Sequence, residues 1–194
     1  MAGKHVGAPE PDHERVVLVD ESGAAIGTAL KAEVHTTDTP LHLAFSCYVV
    51  DGAGRLLLTQ RALSKRTWPG VWTNACCGHP APDEDLVGAV LRRLRQELGI
   101  RGQAEISPLL PDFRYRAVMD NGIVENEICP VFLARVPAGV ALAPDESEVA
   151  GYRWATPGEF RQLISAAREP VSPWAVLQMD RLAANDDWAG ATTS

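Results

Sequence analysis

The chain has 194 residues, 46% hydrophobic and 22% charged, which is material for one soluble domain with a real core. Its formal charge of −7 argues against nucleic acid or an anionic membrane as partner, and any anionic substrate must be met by a local basic pocket. The longest apolar run, "LHLAFSCYVV", falls short of the roughly 20 residues of a membrane span, and the N-terminus lacks the apolar core of a signal peptide. A cytoplasmic protein is expected. Its four cysteines (Cys47, Cys76, Cys77, Cys129) lack CxxC zinc-ribbon spacing, and a reducing compartment disfavours a disulfide framework.

Residues 1–14, with His5 and His13, and residues 188–194 show no periodic apolar pattern and are expected as mobile ends of a single domain over 15–187. "RVVLVD" (Arg15–Asp20) reads as a strand, with "GAAIGTAL" able to return beside it. "LAFSCYVV" and "RLLLTQ" are strand-like and joined by "DGAG", a hairpin signal. The Pro-, Gly- and Trp-rich stretch from Arg61 to Glu84 is long for a passive connection and points to a site. A helix is expected from Asp83, as its cap, to Leu98, with Leu86, Val87, Val90, Leu91, Leu94 and Leu98 as its apolar stripe and Gly99 as its stop. Strand-like runs follow around Phe113–Val118, Val124–Leu133 and Tyr152–Ala155. "TPGE" (Thr156–Glu159) is a capping box, and "SPW" at Ser172 repeats the Ser-cap, Pro-first pattern. The sum is a mixed α/β domain with hairpin strands covered by helices.

The polar residues ask for a role. His35, His42 and His79 lie outside the tail; His42 interrupts an apolar run and His79 closes "TNACCGHP", and a lone histidine of this kind is usually a hydrogen-bonded core or surface residue. In "VENEICPVF", Glu125 and Glu127 alternate with their neighbours and so share one strand face. A solvent-facing edge would explain them, but on a buried face two carboxylates need a cation. Three imidazoles and two carboxylates form a mixed N/O set that favours Mn²⁺ or Mg²⁺, allows Zn²⁺, and disfavours a sulfur-rich structural zinc. The pair "CC" at Cys76 and Cys77 could be a metal knuckle, a vicinal disulfide, a catalytic thiol or buried filler.

From Gly78 the chain resembles the Nudix signature: Gly78, Glu84, Arg92, Leu94, Glu97, Gly99 and Ile100 fall in register. Arg93 and Gln96 stand where that signature has two further glutamates, so the hydrolytic metal set is cut to one carboxylate. Arg93 and Glu97, at i and i+4, share a helix face and could grip a diphosphate without attacking it, or be a surface ion pair. Arg61, Lys65 and Arg66 could add to that grip.

More specifically, the chain is similar to the type I isopentenyl-diphosphate isomerases. The resemblance is carried by "HTTDTPLHLAFS", "RALSKRTWPGVWTNACCGHP", "RRLRQELGI", "PDFRYRA", "GIVENEICPVF" and "SPW", in order from Val16 to about Leu182. It implies a Nudix-like α+β fold, a mixed β-sheet sandwiched between α-helices, in an enzyme that interconverts isopentenyl and dimethylallyl diphosphate. It further implies that His35, His42, His79, Glu125 and Glu127 bind one divalent ion, Mn²⁺, Mg²⁺ or Zn²⁺. Cys77 and Glu127 would be the acid–base pair, with Tyr115 beside Glu127. Glu97 and the Cys77 carbonyl would hold a Mg²⁺ bridging to the diphosphate, and Lys31, Arg61, Lys65 and Arg93 would contact the phosphates. Trp174 would face the hydrocarbon, with Trp72 as a second candidate for an aromatic wall. Only Cys77 of the two adjacent cysteines is implied to be essential. The expected partner is a small isoprenoid diphosphate, with no nucleic acid or membrane, and the expected assembly is a monomer.

Overall fold

The computed structural model describes residues 14–102 and 104–192; His5 and His13 lie outside that range. The described chain opens on a hairpin, β1 (Arg15–Val19) and β2 (Ala25–Leu30), followed by a one-turn helix, α1 (Lys31–Val34). β3 (His42–Leu43) runs into β4 (Phe45–Asp51), which turns back as β5 (Leu56–Arg61). Two short strands, β6 (Trp72–Thr73) and β7 (Cys76–Gly78), precede helix α2 (Leu86–Leu98). Then come β8 (Glu105–Leu110), β9 (Arg114–Val118), β10 (Val124–Ile128), β11 (Val131–Val136) and β12 (Val149–Ala155). Three helices close the fold: α3 (Pro157–Ala166), α4 (Pro173–Leu182) and α5 (Asp186–Thr192).

The strands form two sheets, ordered β2-β1-β3-β10-β9 and β12-β5-β4-β11-β8, with β6 and β7 added on β5 and β4. β4 is buried along its whole length because helices cover both faces of its sheet. Its residues alternate accordingly. Tyr48 and Val50 join Phe160, Trp174, Met179 and Leu182 on the side of α3 and α4, while Cys47 and Val49 join Ala89, Val90, Leu94 and Leu98 of α2 on the other. This is the sandwich expected of the fold.

Two crossings between the sheets lie side by side and set up the site. The chain leaves the smaller sheet after Leu43 to enter β4, and again after Ile128 to enter β11. The segments run parallel, tied by Ala44 N–H to Ile128 O (2.9 Å) and Ser46 N–H to Pro130 O (3.1 Å). The run expected as one strand, Val124–Leu133, is therefore broken at Cys129–Pro130. The break places His42 directly opposite Glu127.

Several local expectations need correction. Helix α2 is capped by Asp85, whose side chain accepts from Gly88 N–H, whereas Asp83 sits at φ +66° outside the helix. Val87 and Leu91 are exposed, and Ala89 takes their place on the buried face. Ser172 does stand at the cap position of α4, but its hydroxyl bonds Thr73 Oγ1 instead of capping. The Thr156–Glu159 capping box forms as expected. Residues 188–192, expected in a mobile end, belong to α5, because Trp188 is buried against Tyr48. Glu14, expected in the other tail, is paired with Lys31. Among the described residues, no helix is long and apolar enough to cross a membrane.

The end of α2 also shapes the site. Gly99, at φ +69°, closes the helix, and a Cβ there would lie 2.8 Å from the Ala143 Cβ and 3.0 Å from that residue's backbone. The Ala143 and Asp145 N–H groups cap the carbonyls of Leu98 and Glu97. That hook brings Asp145 and Glu148 beside the buried face of α2.

Candidate active site

A cavity of about 530 Å³ opens where the two sheets, α2 and the Arg61–Gly78 segment meet. Its walls include Lys31, His35, Arg61, Lys65, Cys77, His79, Arg93, Glu97, Tyr115, Glu125, Glu127 and Trp174. His42, fully buried, stands behind Glu127. The structure thus gathers around one cavity every residue singled out in the sequence for the acid–base, metal and phosphate sets.

The histidine end fits a cation. Ligand atoms of His35, His42, His79 and Glu127 all lie within 4.8 Å of one another. His42 Nδ1 donates to Pro40 O (2.9 Å), which leaves its Nε2 turned to Glu127 Oε1 at 3.4 Å, with His79 Nε2 at 3.2 Å from the same oxygen. A neutral His42 with its proton on Nδ1 would oppose a lone pair to a carboxylate. Either a proton on His42 or a metal ion between them resolves that. His35 Nε2, His42 Nε2 and His79 Nδ1 are buried without hydrogen-bond partners, as unfilled ligand positions are. Burial pushes His35 down to about 3 and His79 to about 4, so both are neutral and able to bind metal. His42 moves up instead: burial opposes its charge, but Glu127 outweighs burial. Burial likewise opposes a charge on Glu127, yet its bonds with His42 and His79 hold it well below the usual carboxylate range.

Glu125 stands apart from that four-residue cluster. Its Oε2 accepts from the Tyr115 hydroxyl at 2.5 Å, and burial with Glu127 nearby pushes it up to about 7. Tyr115 is the cross-strand neighbour of Glu127, yet its hydroxyl serves Glu125.

Cys77 lies on β7, with its thiol beside Ser46 Oγ and Asn74 Oδ1, each at 3.3 Å. Burial pushes the thiol up to about 12, so at neutral pH it keeps its proton. Cys76 points to the opposite side of the sheet, into the cluster around α2. All four cysteines are free.

Trp174 forms the aromatic wall. Its ring meets Trp68 edge to face at 5.7 Å and lies tilted against Tyr115 at 5.8 Å, and the Arg61 guanidinium lies 5.4 Å from its centroid. An indole offers an electron-rich face to a cation. Trp72, the other candidate, lies elsewhere: its Nε1 donates to Glu169 and its ring is covered by Arg153 at 4.0 Å, outside the cavity wall.

At the other end, three of the cations have carboxylate partners, while Arg61 donates to the Thr67 and Trp68 carbonyls. Lys31 pairs with Glu14 (2.5 Å), Lys65 with Glu148, and Arg93 with Glu97 (2.6 Å) and Glu148 (3.3 Å). Burial lowers Lys31, and lowers Lys65 to about 8. Arg66 reaches the Ala32 carbonyl. Among the described residues Glu97 belongs to no group of three ligating side chains, so an ion there would draw further ligands from backbone carbonyls, a bound phosphate and water. The signature residues Glu84 and Arg92 bond each other at 2.7 Å, and Arg92 also donates to the His79 carbonyl, steadying the loop that carries this histidine.

Sequence reasoning missed Asn74, Ser46 and Gln178. They are uncharged and fully buried, and no motif of charge or spacing marks them. The signal available was polar residues within otherwise apolar runs.

Residues 40–175 match the NUDIX domain family. An isopentenyl-diphosphate Delta-isomerase of Saccharopolyspora erythraea is 54% identical over 182 residues, 92% of each chain. That of Mycolicibacterium vanbaalenii is 54% identical over 169 residues, 87% of this chain and 91% of its own. Among solved structures, a Deinococcus radiodurans protein aligns with a TM-score of 0.67 at 20% identity, over 87% of this chain and 98% of its own. A Nudix hydrolase from M. smegmatis aligns with 0.57 at 16%, over 92% and 96%. At such identities these two show the fold alone. The sequence relatives show more: the chain belongs to the NUDIX domain family and, within it, to the isopentenyl-diphosphate Delta-isomerases.

Proposed function

We propose that this chain interconverts isopentenyl diphosphate and dimethylallyl diphosphate by adding a proton to the terminal alkene carbon and removing one from the allylic CH₂. The observation that carries the reading is the shared cavity of Cys77 and Glu127, a buried thiol and a buried carboxylate, with Trp174 as an aromatic wall and a cluster of cations at the far end. One member of the acid–base pair gives a proton to the terminal methylene carbon and the other takes one from the neighbouring CH₂. Charge is unchanged overall. Between the two transfers the tertiary carbon is electron-deficient, and the Trp174 face stabilises it without offering a lone pair, by about 2 kcal/mol when desolvated. Water must be kept from this carbon to prevent its capture as an alcohol, and the Trp174 and Tyr115 rings cover that part of the cavity.

His35, His42, His79 and Glu127 would hold the divalent ion, with Glu125 alongside, and Mn²⁺, Mg²⁺ or Zn²⁺ suit the donor set. Such an ion supplies the positive charge that fixes Glu127 and tunes its proton affinity. Tyr115 orients Glu125, and Trp174 and Tyr115 together set the width of the hydrocarbon slot. Lys31, Arg61, Lys65 and Arg93 take the diphosphate, whose oxygens with Glu97 and the Cys77 carbonyl would complete a Mg²⁺ site. We also place the enzyme in the cytoplasm as a monomer. Four free thiols suit a reducing compartment, and one chain supplies the whole cavity wall.

The test is proton NMR of isopentenyl diphosphate with the protein and Mg²⁺ in D₂O, with Mn²⁺ or Zn²⁺ added. Dimethylallyl signals should appear, with deuterium entering the methyl and allylic positions. An unchanged spectrum from folded, metal-loaded protein refutes the reading. Release of phosphate would point to a Nudix hydrolase instead.

A further inference from the structure

The Cys77 sulfur is held on two sides by buried polar groups whose own orientations are fixed elsewhere. Asn74 Nδ2 donates to the carbonyls of Cys47 (3.0 Å) and Cys76 (2.8 Å), so its two N–H groups are committed and its Oδ1 must face Cys77. That oxygen accepts from Cys77 Sγ, Trp174 Nε1 and Thr73 Oγ1. On the other side the Tyr48 hydroxyl donates to Gln178 Oε1 (3.1 Å), which fixes the Gln178 amide. Gln178 Nε2 then donates to Ser46 Oγ (2.9 Å). Ser46 lies 3.3 Å from Cys77 Sγ and 3.4 Å from Cys129 Sγ.

One assignment of hydrogens satisfies all of these contacts. Ser46 accepts from Gln178 and Cys129 and donates its hydroxyl to Cys77, and Cys77 donates to Asn74. Donors therefore run one way, from Tyr48 through Gln178 and Ser46 to the sulfur. Gln178 and Trp174 stand four residues apart on α4, on one helix face, and Ser46 is the register partner of Cys77 across β4 and β7. Helix α4 thus reaches both sides of the thiol, through Ser46 and through the shared Asn74 oxygen.

We propose that Ser46, aimed by Gln178 and Tyr48, is a positioning residue that fixes the Cys77 side chain against the substrate. This rests on Cys77 being an acid–base group, as proposed above. A satisfied polar cluster of purely structural value would show itself in stability. A positioning role shows itself in the chemical step, where a misplacement of about 1 Å costs on the order of 100-fold.

The experiment measures kcat, KM for isopentenyl diphosphate and the melting midpoint of Ser46→Ala, with Cys77→Ser in parallel. The expected result is a fall in kcat of about ten- to 100-fold, with KM nearly unmoved and the midpoint lowered only by the few degrees that unpaired buried donors cost. Should S46A not accumulate folded, Gln178→Met carries the same test: it removes the amide that aims Ser46, without touching Cys77. A kcat within about twofold of the parent, or a fall explained by partial unfolding at the assay temperature, overturns the proposal. If Cys77→Ser is inactive while S46A is normal, only the Ser46 role falls. If Cys77→Ser turns over normally, the acid–base reading falls and takes this one with it.

Discussion

Replacing Arg93 with methionine should separate the two roles of the α2 ion pair. Arg93 Nε and Nη2 both bond Glu97 Oε1 at 2.6 Å, and the two side chains are only 9% and 8% exposed. Deleting the guanidinium leaves a buried carboxylate without its partner, a change that costs about 3–5 kcal/mol. Lys31 and Lys65 also feel the Glu97 charge and compensate in part, which selects the lower end, about 3 kcal/mol. That is about two decades in the ratio of folded to unfolded chain. Arg93→Met with Glu97→Met removes both charges and should return to within about 1 kcal/mol of the parent. The assay is urea unfolding followed by tryptophan fluorescence, extrapolated linearly to water. A loss below about 1 kcal/mol in R93M, or a double variant as unstable as the single one, would refute the reasoning. Both variants should raise KM for the diphosphate.

Cys77→Ser should lose nearly all turnover, while Cys76→Ser, on the other side of the sheet, keeps most of it; equal losses would sink the assignment. Removing divalent ions with a chelator should lower the melting midpoint, and adding them back should restore it. An ion at 100 times its Kd contributes about 2.7 kcal/mol, roughly 5–10 °C for a chain of this size, and His42→Ala should abolish the difference. Asp51 is held below its usual range: burial opposes its charge, but Arg55 and the N–H groups of Ala53 and Arg55 outweigh burial. Its depressed value means stabilisation that is present above the ordinary pKa of 3.8 and lost as the pH falls below it. Asp51→Asn should therefore cost about 1–3 kcal/mol at pH 7 and much less near pH 3, measured by urea unfolding at each pH. An equal cost at both would contradict this.

Local chemistry explains which features the sequence revealed. The Asp51–Arg55 turn, the stop at Gly99 and the capping box at Thr156 are each decided within a few residues, and each reads directly from the chain. Strand alternation put Glu125 and Glu127 on one face for the same reason. Helix α5 was hidden because Trp188 finds its pocket against Tyr48, far away in sequence. The meeting of His42 with Glu127 depends on a two-residue parallel ladder that no local pattern announces. The division of labour between Glu125 and Glu127 was hidden too, since it turns on where the Tyr115 hydroxyl points.

The carboxylate partners of Lys31, Lys65 and Arg93 bear on how fast a diphosphate is captured. With these three cations already neutralised and the formal charge at −7, the attraction the free protein offers an anion is weak and local, carried by Arg61 and Arg66. Binding of the diphosphate at these cations would require its oxygens to displace Glu14 and Glu148. Added salt should quicken the encounter by screening the net negative charge, although it weakens the grip once made. Divalent cations travelling with the diphosphate should quicken it further, because the species that arrives is then less anionic.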